Sequence, residues 1–170
     1  MIAVVLFLSI RTTADGGGSG VTDAAAWDLP AINVDVDGNT GERVVLADHE
    51  GTPVVVNFFA SWCPSCEAEL PAFSFLSDQH AGVVDFVFVN SNETGDWKPM
   101  ARRTGIGDQI IARDIDGTRG NGLYRSLGGT GGMPMTAFYD AAGQLVHLDR
   151  GQLSERDIVD RLDRLFGVST

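Results

Sequence analysis

The chain of 170 residues contains two cysteines, and both lie in the segment Trp62-Cys63-Pro64-Ser65-Cys66. A disulfide between cysteines three positions apart closes almost no loop, so it removes little entropy from the unfolded chain and is a poor staple. Secreted domains that depend on disulfides scatter their cysteines more widely. Redox chemistry explains the pair better. A cysteine at the start of a helix faces unpaired backbone N–H groups and the positive end of the helix dipole, which favour its thiolate. A second cysteine one turn further on reaches the mixed disulfide made by the first. The spacing therefore assigns Cys63 as nucleophile and Cys66 as resolving thiol, working by thiol–disulfide exchange. Zinc binding would need further ligands, and His49, His80 and His147 are far apart in sequence without ligand spacing. A merely structural pair is the remaining alternative.

For this chemistry to work, the pair must sit between a strand and a helix, and the flanking sequence supplies both. Residues 54–59, Val-Val-Val-Asn-Phe-Phe, read as a central strand buried on both faces. Residues 67–80 have helical character, with a kink expected at Pro71, because proline lacks the N–H that an interior helical position needs. Residues 83–89 read as a second buried strand, 96–103 as a short helix, 110–115 as a strand and 123–127 as one helical turn. A loop with four glycines in residues 128–132 leads through Met133-Pro134 into a strand at 136–139, which turns at Ala142-Gly143 into a partner at 144–148. Ser154 opens a last helix with Ile158, Leu162, Leu165 and Phe166 at helical spacing. Upstream, Val34 to Val36 and Val44 to Leu46 flank the turn-rich Asp37-Gly38-Asn39-Thr40-Gly41 and predict an N-terminal hairpin. The order predicts an α/β fold, a central mixed sheet with helices on both faces.

Composition fits one domain with a real core, at 44% hydrophobic and 21% charged residues. The net charge of −11 would repel phosphate backbones, so nucleic-acid binding is excluded as a function class. Residues 1–15 include the apolar run 2–10, too short to span roughly 30 Å of hydrocarbon and without a basic stretch before it. They are expected to be a signal or anchor segment, with a misplaced start accounting for the missing basic stretch. Residues 16–26 begin Gly16-Gly17-Gly18-Ser19-Gly20 and are expected to be a flexible linker, with the domain over 27–170. This arrangement points outside the cytoplasm.

The stretch Asn57-Phe58-Phe59-Ala60-Ser61-Trp62-Cys63-Pro64-Ser65-Cys66, with Glu69-Leu70-Pro71 after it, resembles the active-site signature of the thioredoxin superfamily. It is more closely similar to the extracytoplasmic TlpA/ResA/DsbE-like branch. Pro71, Met133-Pro134, the turn at Gly143 to Leu145 and Gly151 also fit the pattern, and the likeness covers about residues 27–166. The resemblance implies a thioredoxin-like fold and a cis proline at Pro134 facing the disulfide, with the Met133 backbone free to pair with an extended substrate. An ordinary trans proline is the alternative. It further implies that Glu69 relays a proton for Cys66, where cytoplasmic thioredoxins use an aspartate at the position of Asn57; a solvated helix carboxylate is the alternative. Trp62 is expected as a partly exposed ring beside the disulfide rather than a core aromatic, and Pro64-Ser65 as the dipeptide that tunes the potential. Met133 and Met135 depart from the usual small or β-branched residues.

The resemblance implies no cofactor beyond the redox-active Cys63–Cys66 disulfide. Its expected partners are protein disulfides or dithiols and a membrane electron donor, with an N-terminal tether and a monomeric chain. The leading function is a reductase, with apocytochrome c among its substrates by analogy. A disulfide oxidase or isomerase would use the same residues in reverse. A peroxiredoxin-like peroxidase would need Thr or Ser three residues before the reactive cysteine, where Ala60 stands. A non-catalytic binding module would have no use for two intact cysteines.

Overall fold

The computed structural model describes residues 22–168. The chain runs through β1 (Thr22–Asp23), β2 (Ala26–Ile32), β3 (Asn39–Val45), β4 (Val54–Phe59), α1 (Pro64–Gln79) and β5 (Asp85–Ser91). It continues through α2 (Lys98–Thr104), β6 (Ile110–Asp114), α3 (Leu123–Ser126), β7 (Met135–Tyr139), β8 (Leu145–Arg150) and α4 (Glu155–Phe166). The strands make one mixed sheet in the order β1-β2-β6-β5-β4-β7-β8, with β3 paired to β2. The three inner strands β4, β5 and β6 run parallel, while β7 and β8 add an antiparallel edge. Parallel neighbours need a crossover, and α1 supplies the one between β4 and β5. That places the cysteine motif at the carboxyl end of the central strand.

All six residues of β4 are buried, as its unbroken apolar run requires. Val55 and Phe59 pack with Leu70, Phe73 and Leu76 of α1, Met100 and Ala101 of α2, and Ile158 and Leu162 of α4. Val54, Val56 and Phe58 pack on the opposite face with Trp27, Leu29, Val44, Leu123 and Tyr124. The helices are therefore unevenly shared. One face carries α1, α2 and α4, and the other is covered by the single turn of α3 and by the N-terminal hairpin. Amphipathic α4 begins with a reciprocal cap, in which Ser154 accepts from the Asp157 N–H and Asp157 accepts from the Ser154 N–H.

The thioredoxin-like fold is as expected, with several boundaries corrected. The hairpin forms, but its strands are β2 and β3, and residues 34–36 belong to the connection. Trp27 and Leu29 alternate into the core and set the first strand. Pro30, which cannot donate to a ladder, sits beside the register shift between Pro30 and Ile32, a place that tolerates it. Val34 is buried by packing alone. The motif helix starts at Pro64, three residues earlier than expected, because proline at the first helical position sacrifices an N–H that has no partner there anyway. It runs on through Pro71. β5 begins at Asp85, two residues later than expected. Strand structure starts at Thr22, inside the stretch read as linker; the apolar segment 1–15 and the glycine run lie outside the described residues.

Candidate active site

Cys63 is the N-cap of α1, and its Sγ accepts a hydrogen bond from the Cys66 N–H at 3.0 Å. This is the orphan donor of a helix start aimed at a sulfur, as a thiolate there requires. The two cysteines are joined as a disulfide with Cα atoms 5.3 Å apart. Cys63 is 3% exposed and Cys66 fully buried, so an incoming thiol or disulfide meets Cys63 first. Pro64 is exposed and Ser65 half-buried on the outer side of the helix start. Trp62 is 43% exposed, with its Nε1 donating to the Asn92 carbonyl at 2.8 Å, so the ring is held at the surface beside the pair.

Beneath the pair lies a buried polar chamber. Glu69, one turn beyond Cys66 on α1, is 1% exposed. Its Oε1 accepts from Asn57 Nδ2 and its Oε2 from the Leu153 N–H, both at 2.8 Å. Asn57 Nδ2 also donates to Thr136 Oγ1 at 3.1 Å, which ties β4, α1, β7 and the approach to α4 into one cluster. Burial disfavours the charged carboxylate and, against the two hydrogen bonds, pushes the Glu69 carboxyl up to about 7. Glu69 is therefore not a solvated helix carboxylate. It is a buried group poised to change charge near neutrality.

Opposite the motif, the Met133–Pro134 peptide bond is cis. Pro134 is buried, and Met133 packs against both core clusters, one of which contains Cys63 and Cys66. Among the described residues no hydrogen bond uses the Met133 backbone N–H or carbonyl. The loop before it is braced by Tyr124, whose hydroxyl donates to the Gly132 carbonyl at 2.5 Å and accepts from the Gly131 N–H at 3.3 Å. Tyr124 is itself placed by Asp114, which accepts from the Leu123 and Tyr124 N–H groups at the start of α3.

A second carboxylate, missed in the sequence, grips the other flank of the motif. Glu93 accepts from the Ser61 N–H at 2.8 Å and the Ser61 hydroxyl at 2.5 Å. It also accepts from Asn90 Nδ2 and from the Thr94 and Gly95 N–H groups. Burial works to raise its carboxyl, but the hydrogen bonds from Ser61, Asn90 and Gly95 outweigh it and hold the group below the ordinary carboxylate range. Gly95 fits because a Cβ there would stand 2.9 Å from Ser61 Oγ. The signal in the sequence was the polar run Asn90-Ser91-Asn92-Glu93-Thr94-Gly95 straight after a buried strand, at the end of the sheet where the cysteines lie. Among the described residues no group of His, Cys, Asp and Glu side chains could hold a metal ion.

Comparison with known proteins agrees with this geometry. The Redoxin family matches residues 24–164. Thiol:disulfide interchange protein DsbE of Pseudomonas aeruginosa is 27% identical over 142 residues, covering 83% of this chain and 72% of the relative. Thiol-disulfide oxidoreductase ResA of Oceanobacillus iheyensis is 28% identical over 188 residues, covering 98% and 81%. Among solved structures, the exposed lipoprotein thioredoxin of Streptococcus pneumoniae superposes with a TM-score of 0.65 at 25% identity, covering 81% of this chain and 99% of that one. A Cys-x-x-Cys pair joined at the helix start on a thioredoxin-like sheet, in a chain matched along most of its length, places it in the Redoxin family as a thiol–disulfide oxidoreductase of the DsbE and ResA kind.

Proposed function

We propose that the chain works as a reductase of protein disulfides outside the cytoplasm, with Glu69 as the proton acceptor for Cys66. The Cys63 thiolate attacks one sulfur of a substrate disulfide. The Cys63–substrate bond forms, the substrate S–S bond breaks, and the leaving substrate thiolate takes up a proton from solvent. Cys66 then gives its proton to the Glu69 carboxylate and attacks Cys63. The internal disulfide forms, and the second substrate thiolate leaves and is protonated. Two electrons have passed from the Cys63/Cys66 dithiol to the substrate, with the disulfide itself as the only redox carrier. In this reading the substrate strand pairs with the Met133 backbone beside Pro134, Trp62 covers the reacting sulfurs, and Pro64-Ser65 adjust the N–H groups facing the Cys63 thiolate.

The observation that carries this reading is Glu69, buried one turn from Cys66 with its carboxyl at about 7. A general base works best when its pKa lies near the operating pH. The proposal extends to a monomer tethered or exported through its N-terminal segment and re-reduced by a membrane electron donor. Cysteine pairs such as that of apocytochrome c would be among its substrates. The pneumococcal relative described as an exposed lipoprotein supports that location. Among the described residues no helix is long and apolar enough to cross a membrane.

The test is the equilibrium reduction potential against a glutathione or dithiothreitol series, with Cys63→Ser and Cys66→Ser as controls. A value near or below about −270 mV supports a reductant, whereas a value well above about −200 mV replaces it with an oxidase or isomerase using the same residues.

A further inference from the structure

We propose that the hollow beside the cis Met133–Pro134 bond is a subsite for an acidic side chain of the substrate polypeptide, read by Arg150; this rests on the oxidoreductase reading. The cavity measures about 300 Å³ and is lined by Tyr124, Gly128, Thr130, Gly132, Met133 and Arg150, among others. Arg150 is the only charged side chain on its wall. It stands on β8 opposite Met135, one residue along from Pro134. One nitrogen, Nη2, donates to the Leu127 carbonyl at 3.0 Å, which fixes the guanidinium at the rim and leaves its other donors over. The chain has 23 acidic residues against 12 Lys and Arg. Arg43, Arg102, Arg103, Arg161 and Arg164 pair with carboxylates, whereas among the described residues Arg150, like Arg113, Arg119, Arg125 and Arg156, has no such partner.

The rest of the wall is mixed, with Met133, Pro134 and Met135 apolar and the glycine-rich loop presenting backbone. The backbone N–H groups of Thr130 and Gly132 have no hydrogen-bond acceptor among the described residues, and that of Met133 is left to the substrate backbone. The Tyr124 hydroxyl is engaged with Gly131 and Gly132. A Cβ added at Gly131 or Gly132 would meet nothing within 4 Å, so the mouth is open. A hollow with a guanidinium at its rim and no negative charge on its wall suits a carboxylate. The substrate of this site is a polypeptide, and its internal anions are Asp and Glu side chains. In an extended strand alternate side chains share a face at about 6.7 Å spacing. Cys63 and Cys66 belong to one core cluster while Tyr124 and Met135 beside Arg150 belong to the other, so the side chain that reaches Arg150 is one of those one or two places from the attacked cysteine.

The overall charge of −11 opposes an acidic ligand. At physiological salt, however, charges beyond roughly 8 Å are largely screened, so the contacting Arg150 dominates. An exposed ion pair and a charge-assisted hydrogen bond bracket the expected preference at about three- to thirtyfold.

The test uses the full-length chain, fully reduced, in single-turnover reduction of peptides with one internal disulfide and blocked termini. The peptides carry Glu, Gln or Lys one or two residues from the cysteine on either side. The wild type is expected to reduce the Glu peptide about three- to thirtyfold faster than the Gln peptide, and the Lys peptide slowest. In Arg150→Gln the Glu-to-Gln ratio falls to about one, and because it is a ratio, a general loss of activity cancels. Equal rates in the wild type, or an unchanged ratio in the variant, overturn the subsite while leaving the oxidoreductase reading intact. Failure of the wild type to reduce any peptide overturns both. If Arg150→Gln does not fold, raising salt from about 50 to about 500 mM with the wild type decides the matter. The ratio must fall toward one, and a salt-independent ratio overturns the proposal.

Discussion

The buried chamber beneath Cys66 and the loop strapped to Ser61 each hold a glutamate close to the motif, and the two are tuned in opposite directions. Glu69 is almost wholly buried and accepts two hydrogen bonds, so desolvation wins and its carboxyl rises to about 7. Glu93 is only half-buried and accepts five, so hydrogen bonding wins and its carboxyl falls below the ordinary range. The difference lies in the number of donors set against the loss of water, since among the described residues neither carboxylate has a cation in hydrogen-bond contact. One arrangement yields a group that moves a proton near neutrality, and the other a fixed charge that holds the backbone entering the motif. Asn57 sharpens the first case. Its Nδ2 is spent on Glu69 and Thr136, and among the described residues its buried Oδ1 has no hydrogen-bond partner.

The largest effect is expected from Glu69→Gln on turnover. Removing the base should slow resolution of the mixed disulfide by roughly 100-fold or more at pH 7, the usual scale for a positioned general base. In the wild type the rate of this step should rise with pH through an inflection near 7, as Glu69 loses its proton, and the variant should lack that inflection. Rapid-quench trapping of the mixed disulfide from pH 5 to 9 measures both. A variant as fast as the wild type would remove Glu69 from the mechanism.

The next effect is on stability. Because the folded carboxyl titrates at about 7 rather than the 4.5 of a free glutamate, the folded state binds more protons between these values. Wild-type stability is therefore favoured at low pH and declines as pH rises from 4.5 through 7, by an amount of up to about 3 kcal/mol. The stability of Glu69→Gln relative to wild type should increase over that window in denaturant titrations of the oxidised protein. A constant difference from pH 4 to 8 would mean that burial does not control the group.

The chamber was largely legible in the sequence and the strap was not. Cys63, Cys66 and Glu69 lie on one short segment, where helical periodicity alone sets their relation, and Asn57 is on the strand feeding directly into it. Glu93 reaches Ser61 across 32 positions, and that meeting depends on β4 and β5 pairing in register up to Phe59 and Asn90. Tyr124 likewise earns its place through Asp114 and the turn of α3, which composition shows only as a short apolar stretch. The hairpin error has the same origin. Residues 34–36 have strand-like composition, but β2 is bridged to β6 of the main sheet at the single pair Ala31 and Ala112. Its position is decided by the burial of Trp27 and Leu29, which a local pattern does not weigh.

The smallest effect, and the one that separates the two carboxylates most cleanly, is Glu93→Gln. The amide keeps one oxygen and turns an NH2 toward donors that the second carboxylate oxygen now satisfies. Ser61 and Asn90 would lose a charge-assisted acceptor, at a cost of about 1–2 kcal/mol. Since the folded carboxyl lies below its unfolded value of 4.5, the stability it provides is present above that pH and is lost as pH falls through the folded value. Relative to wild type, Glu93→Gln should therefore be destabilised at pH 7 and approach it as pH falls below 4.5 through the folded value, where Glu69→Gln has not yet gained its advantage. The inflection near 7 in the resolving step should stay where it is, because it belongs to Glu69. A shift of that inflection in Glu93→Gln would mean that the two carboxylates titrate as one coupled system, and the strap would then be part of the proton machinery rather than its support.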